Sequence, residues 1–265
     1  MTFRNVRRLV QRDAEDFDVR ARTAWLVFWA PLGLTALFLT TLLHRPLFEV
    51  VTHEDSVLEW AQVIAFVTAG VTALMAAARL RRRDRLAMLL VTGFAALAFI
   101  AAGEEISWGQ RIFDWETPAI LGEINHQDET TVHNIVPVQR SLSYLQLLVG
   151  LYGGVVPAVL RSTWSRRPLA ADVVLPAAFI APAFLIMAGY RLVRLTLLTE
   201  DRFVLVKFGE MPELCLAFAL AVTASMISRV ARRQSSTSPG DERTVSTQVG
   251  NGGPPSDRAA AGATP

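Results

Sequence analysis

An all-α fold is predicted here: a polytopic membrane bundle of six transmembrane helices with a partly helical extracytoplasmic cap loop. Three observations carry that prediction. Six apolar runs are each long enough to cross a hydrocarbon core of about 30 Å, which takes about 20 helical residues. Arginines gather in alternate connections between those runs, as the positive-inside rule requires of a chain that crosses back and forth. Hydrophobic residues make up 52% of a chain of 265, a balance that suits a small membrane protein better than a soluble domain.

The elements follow in order. Residues 1–23 form a polar cytoplasmic arm, unlike a secretory signal, so the first span is expected to be a retained anchor. The spans cover about 24–43, 57–79, 86–104, 142–160, 171–190 and 211–229 within a membrane domain of 24–230, and the cap loop covers 104–141. Gly150 and Gly154 in the fourth span make a GxxxG pair, the signature of close helix packing. Pro176 and Pro182 should kink the fifth span and free carbonyls that need partners; such a broken helix can line a cavity, but packing is its commoner use. Residues 231–265 are dominated by Ser, Thr, Gly, Pro and Ala without apolar period, and are expected to be a disordered cytoplasmic tail.

Orientation follows from the arginines. Arg4, Arg7, Arg8, Arg12, Arg20 and Arg22 lie in the arm, and Arg79 to Arg85 in the second-to-third connection. Arg161, Arg166 and Arg167 follow the fourth span, and Arg229, Arg232 and Arg233 close the sixth. All four groups fall on one side, which places both termini in the cytoplasm. Lys207 is the single lysine among 26 basic residues, and the Arg and Ala bias resembles that of a GC-rich bacterial genome. A bacterial inner membrane is the expected location. The basic residues form no face interleaved with aromatics, so nucleic acid is excluded as a partner and membrane lipid is expected instead. One cysteine, Cys215, excludes an internal disulfide and any Cys-based zinc site.

The opposite side collects all four histidines (His44, His53, His126 and His133) and 15 of the 24 acidic residues. The richest stretch is GEEISWGQRIFDWETPAILGEINHQDETTVHNI, residues 103–135. Ionisable groups at membrane depth are costly, which makes them candidates for a working site; a solvated acidic surface is the ordinary alternative. On a helix continuing through Phe113, Glu104, Ser107, Trp108 and Arg111 would share one face, with Glu105 about 100° away. Glu104 and Arg111 could then simply pair and seal a helix end. Asp55 and Glu59 open the second span and Glu210 and Glu213 the sixth, so three spans present carboxylates at one level under a loop carrying His126 and His133.

Carboxylates with histidines can bind a divalent metal whose water becomes a nucleophile near neutral pH. The candidate ligands are Glu59, Glu105, His126 and His133, for a metal such as zinc, although the spacing singles out none and HExxH is absent. Either histidine alone is more often a structural hydrogen-bonding group than a ligand. Glu104, Glu105, Glu59 and His133 are the candidate catalytic groups, and Arg111, Ser107, Gln110 and Asn134 the candidate substrate-binding ones. Trp60, Trp108 and Trp115 suit the interface whatever the function. Arg191 and Arg194 can clamp an anion, snorkel to headgroups or pair with Glu210 and Glu213, the last being the plainer use.

At GEEISWGQRIF, followed by ETP and a late HN, the sequence resembles a family of uncharacterised bacterial multi-pass membrane proteins. The resemblance covers roughly residues 50–140. It implies a membrane location and a shared polar site, and brings no assigned activity. CAAX-protease-like metalloproteases carry EExxxR, whereas Arg111 follows Glu105 after five residues. Alkaline-ceramidase-like hydrolases end in HxxxH, and no histidine follows His133. Neither active site is carried over.

The expected function is that of a membrane enzyme, a metal-assisted hydrolase or transferase acting on a lipid or lipid-linked substrate. A cation- or proton-coupled transporter is the alternative, and a non-catalytic assembly or partner-binding protein the third.

Overall fold

A computed structural model describes residues 3–53, 56–118, 130–132, 135–163, 168–200 and 202–236. Among the described residues the secondary structure is helical. The helices are α1 (Phe3–Asp16), α2 (Ala21–Thr41), α3 (Arg45–Thr52), α4 (Val57–Leu80) and α5 (Arg85–Glu105). A 3₁₀ turn (Ser107–Gly109) and α6 (Gln110–Phe113) lead into the cap. Beyond it come α7 (Val136–Thr163), α8 (Leu169–Val174), α9 (Ala181–Thr196), α10 (Phe203–Lys207) and α11 (Glu210–Ser236). Six helical stretches are long and apolar enough to span a membrane: Ala21–Thr41, Arg45–Leu80, Arg85–Glu105, Pro137–Arg161, Leu169–Thr196 and Phe203–Ser235. The chain is thus an all-α bundle of the multi-pass membrane class.

Local chemistry fixes several starts. The Ser56 hydroxyl accepts the Glu59 N–H at 3.4 Å ahead of α4, and the Asp84 carboxylate accepts the Ala87 N–H at 3.0 Å ahead of α5. Each satisfies one backbone donor that a helix start leaves without a partner. His44 does the same for Leu47 N–H at 3.3 Å, so this histidine works as a cap.

α11 is the central helix. It packs on α4 and α9; α4 in turn packs on α5, and α9 on α7 and α2. The α4–α5–α11 seam is built of alanines, among them Ala69, Ala73, Ala76, Ala95, Ala98 and Ala224. Lipid tails are as apolar as leucine, so helices in a membrane gain by close backbone approach, which small residues permit. The fourth span follows the same logic. A Cβ on Gly150 would lie 2.8 Å from the Phe184 carbonyl oxygen and 2.8 Å from the Ala188 nitrogen, while Gly153 faces the Phe184 ring and Gly154 the Leu185 side chain. The glycine pair is a packing face for α9.

The fifth span is interrupted, as its prolines predict, between α8 and a 3₁₀ turn at Ala178–Ile180. The freed backbone groups find specific partners. Arg161 donates from Nη2 to the Leu175 carbonyl at 2.7 Å and from Nε to the Pro176 carbonyl at 3.0 Å. Asp13 Oδ2 accepts the Ala178 N–H at 2.6 Å and stands 3.4 Å from Arg161 Nε. The Phe17 ring lies 4.6 Å from the same guanidinium.

The arm is largely a helix whose Val10, Ala14 and Phe17 are buried in the main core, because apolar residues recur at helical spacing within a polar average. Arg161, counted with the loop arginines, is 1% exposed and works inside the bundle. Arg229 donates to the Asp18 carbonyl at 2.9 Å and Arg233 to the Asp16 carbonyl at 2.6 Å. The arm and the far end of α11 therefore share one end of the bundle. α11 runs to Ser236, so residues 231–236 are helical rather than part of a tail; residues 237–265 lie outside the described residues.

Candidate functional site

The expected helix through Phe113 is not formed. α5 ends at Glu105, and Ser107 (φ 48°), Trp108 (φ 55°) and Gly109 (φ 89°) follow in left-handed backbone. Only the last is a glycine. Left-handed backbone puts a Cβ against the following carbonyl and costs of order 1–3 kcal/mol at a non-glycine residue in a constrained site. The turn folds Trp108 back over Gly103, where a Cβ would meet its ring at 2.9 Å. It also lets Trp108 Nε1 donate to Glu104 Oε1 at 2.7 Å. Ser107 is 1% exposed, and its hydroxyl has no hydrogen-bond partner among the described residues.

Two side chains tie the cap to this turn. Glu104 Oε2 accepts the Val132 N–H at 2.9 Å. Gln110 Oε1 accepts the Thr130 N–H at 2.6 Å, while its Nε2 donates to Thr117 Oγ1 at 2.8 Å. Past α6, Asp114 is again left-handed, and Phe113 stacks on Trp115 with ring centroids 5.6 Å apart. Gln110, Asp114, Trp115, Glu116 and Thr117 line an open depression beside the turn.

A second polar group lies where α4, α9 and α11 meet. Gln62, fully buried on α4, donates from Nε2 to Glu210 at both its carbonyl oxygen (3.3 Å) and Oε2 (3.2 Å). Glu213, Glu59 and Lys207 are close enough to act on Glu210 through their charges. Arg191 pairs with Glu213 at 2.6 Å, the plainer use expected for it, and stands 5.1 Å from the Tyr190 ring centroid. Arg194 instead donates to the carbonyls of Leu198 and Glu200, closing the end of α9. The Tyr190 hydroxyl donates to the Leu205 carbonyl at 2.9 Å.

The candidates are therefore divided. Glu59 is close enough to Glu210 to act on it through its charge. Glu104, Ser107 and Gln110 belong to the turn, and Glu105 is half-buried beside them at the end of α5. His126, His133, Asn134, Asp55 and the side chain of Arg111 lie outside the described residues, and with them the expected Glu104–Arg111 pair. Among the described residues no group of three or more His, Cys, Asp or Glu is placed to hold a metal ion. A set built on Glu59 and Glu105 would need His126 and His133 as well. Gln62 was not singled out in the sequence, yet it was visible there as the lone amide in an apolar run, three residues after Glu59.

Fold and site together define a multi-pass α-helical membrane protein with two polar groups, one on the cap turn and one between helices. Comparison with protein-family models, with curated proteins and with solved structures yields no match.

Proposed function

We propose that this is an integral membrane enzyme, a hydrolase or transferase acting on a lipid or lipid-linked substrate at the outer leaflet of a bacterial inner membrane, with both termini cytoplasmic. The observation that supports it is the turn after Glu104–Glu105: consecutive non-glycine residues in left-handed backbone, with a buried Ser107 hydroxyl lacking a partner. Backbone strain and an unsatisfied buried polar atom are both unfavourable for folding alone, and they concentrate where a site is held ready for a ligand. In this reading Glu104 and Gln110 position the cap. Glu105, Glu59 and His133 serve as acid, base or metal ligands, with His126 completing the ligand set. Ser107, Arg111 and Asn134 hold the polar part of the substrate. A divalent metal such as zinc, when bound, supplies a water that is nucleophilic near neutral pH.

The test is elemental mass spectrometry of the purified protein beside Glu105→Ala and His133→Ala, followed by a lipid-substrate screen. Near-stoichiometric metal that both folded variants lose is the expected result. A well-folded wild type without metal overturns the metal-assisted reading, and full turnover by Glu105→Ala removes that residue from the mechanism.

A cation- or proton-coupled carrier is the second reading, supported by the interrupted fifth span and by the buried Gln62–Glu210 contact. Flux into proteoliposomes that Glu59→Gln or Glu210→Gln abolishes would favour it over hydrolysis.

A further inference from the structure

At the α1 end of the bundle, Arg161, Arg229 and Arg233 each donate to a backbone carbonyl. Arg4, Arg7, Arg8 and Arg12 are exposed on α1, with Arg20 and Arg22 exposed just beyond it. Among the described residues, none of these six side chains has a hydrogen bond or ion pair. Solvated arginines are ordinary, so exposure alone decides nothing. Their placement does.

At 3.6 residues per turn, the four on α1 fall within an arc of about 140°, roughly opposite the arc that holds Val6 and Val10. Glu15 and Asp16, both exposed, follow Arg12 and end the basic face. Asp13 clamps the helix to the fifth span through Ala178 N–H, so the basic face cannot roll inward. Only four residues separate Asp16 from the start of α2 at Ala21, a membrane-spanning stretch. Fully extended, that link reaches about 17 Å from Asp16 to Ala21, which holds the last turn of α1 at headgroup depth.

The apolar face of α1 is already buried against the bundle. An interfacial helix ordinarily binds a bilayer by sinking that face among acyl chains; here only charge remains to meet the membrane. We propose that the outward face of α1 is a binding surface for anionic phospholipid headgroups of the adjoining leaflet. The guanidinium fork matches phosphate oxygens in pairs, which a lysine point charge does not. The inference rests on the membrane fold and is independent of the reaction at the cap.

The experiment is native mass spectrometry of the full chain in detergent with equal phosphatidylglycerol and phosphatidylcholine, beside the variant R4Q/R7Q/R8Q/R12Q. Each basic residue at an anionic surface contributes a factor of about five in affinity. Wild type should retain phosphatidylglycerol preferentially, and the variant should lose that retention by at least about tenfold. Because these side chains make no internal bond, the thermal midpoint in phosphatidylcholine should be the same for both proteins. Salt provides a measurement that needs no variant: the wild-type preference should fall steeply as ionic strength rises. Equal retention of both lipids by wild type, a preference indifferent to salt, or phosphatidylglycerol retained undiminished by the variant would each overturn the proposal.

Discussion

Asp13 and Arg161, far apart in the chain, meet as a buried ion pair at 3.4 Å, and each also holds a different backbone group of the interrupted fifth span. A buried pair of charges is weak evidence for stability, because desolvation offsets much of the attraction. This pair is different in kind. Its hydrogen bonds satisfy carbonyls and an N–H that the break exposes in a setting with little water, where each orphaned group is costly.

Asp13→Ala should therefore destabilise the bundle by about 3–5 kcal/mol, since it strands a buried guanidinium and the Ala178 N–H together. Arg161→Met should be comparably harmful, and the double variant much less than the sum of the two. Thermal unfolding of the four proteins in one detergent checks this. Additive losses would show that the two residues act separately.

Two glycines of similar sequence setting should respond in opposite ways. Gly150→Leu must displace backbone atoms of α9 at 2.8 Å, so it should cost about 1–3 kcal/mol or more. Gly33→Leu, where a Cβ meets nothing within 4 Å, should be tolerated or mildly stabilising in the middle of a helix. Expression level and midpoint temperature distinguish the two.

Gln110→Ala should loosen the cap without unfolding the bundle. It removes the acceptor of the Thr130 N–H and the donor to the Thr117 hydroxyl, a loss of about 1–3 kcal/mol confined to the loop. Limited proteolysis between residues 110 and 135 should accelerate while the thermal midpoint barely moves. Unchanged proteolysis would mean that the cap is held by other contacts.

Ser107→Gly separates a working residue from a merely strained one. Glycine relieves the positive φ and removes a hydroxyl that has no partner among the described residues, so stability should rise by about 1 kcal/mol. If the turn belongs to a substrate site, the same change should lower turnover or ligand affinity once a substrate is in hand. A variant both more stable and fully active would relegate the turn to architecture.

The six spans were legible because length and apolarity are the physics of crossing a bilayer. The GxxxG face and the break at the prolines were legible for similar reasons. The helix within the arm was not read from the sequence, because a polar average hides Val6, Val10, Ala14 and Phe17 at helical spacing, a pattern that only a periodic reading detects. Arg161 looked like its loop neighbours because nothing local announces a partner from the other end of the chain. The turn at Ser107–Trp108 escaped notice since neither residue type favours left-handed backbone. Glu104 and Gln110 were found as polar residues, but their role in holding Thr117, Thr130 and Val132 depends on tertiary contacts that spacing does not encode.

The clasp between α1 and the fifth span also sets an order of events during synthesis. The segment made early carries Asp13, yet Arg161 emerges only at the end of the fourth span and Ala178 only within the fifth. Until then α1 has nothing to clasp, and its apolar stripe is left facing water or lipid. Native contacts of such long sequence separation form late and slowly, so the bundle is completed as a ring is, by the return of its growing end to its beginning.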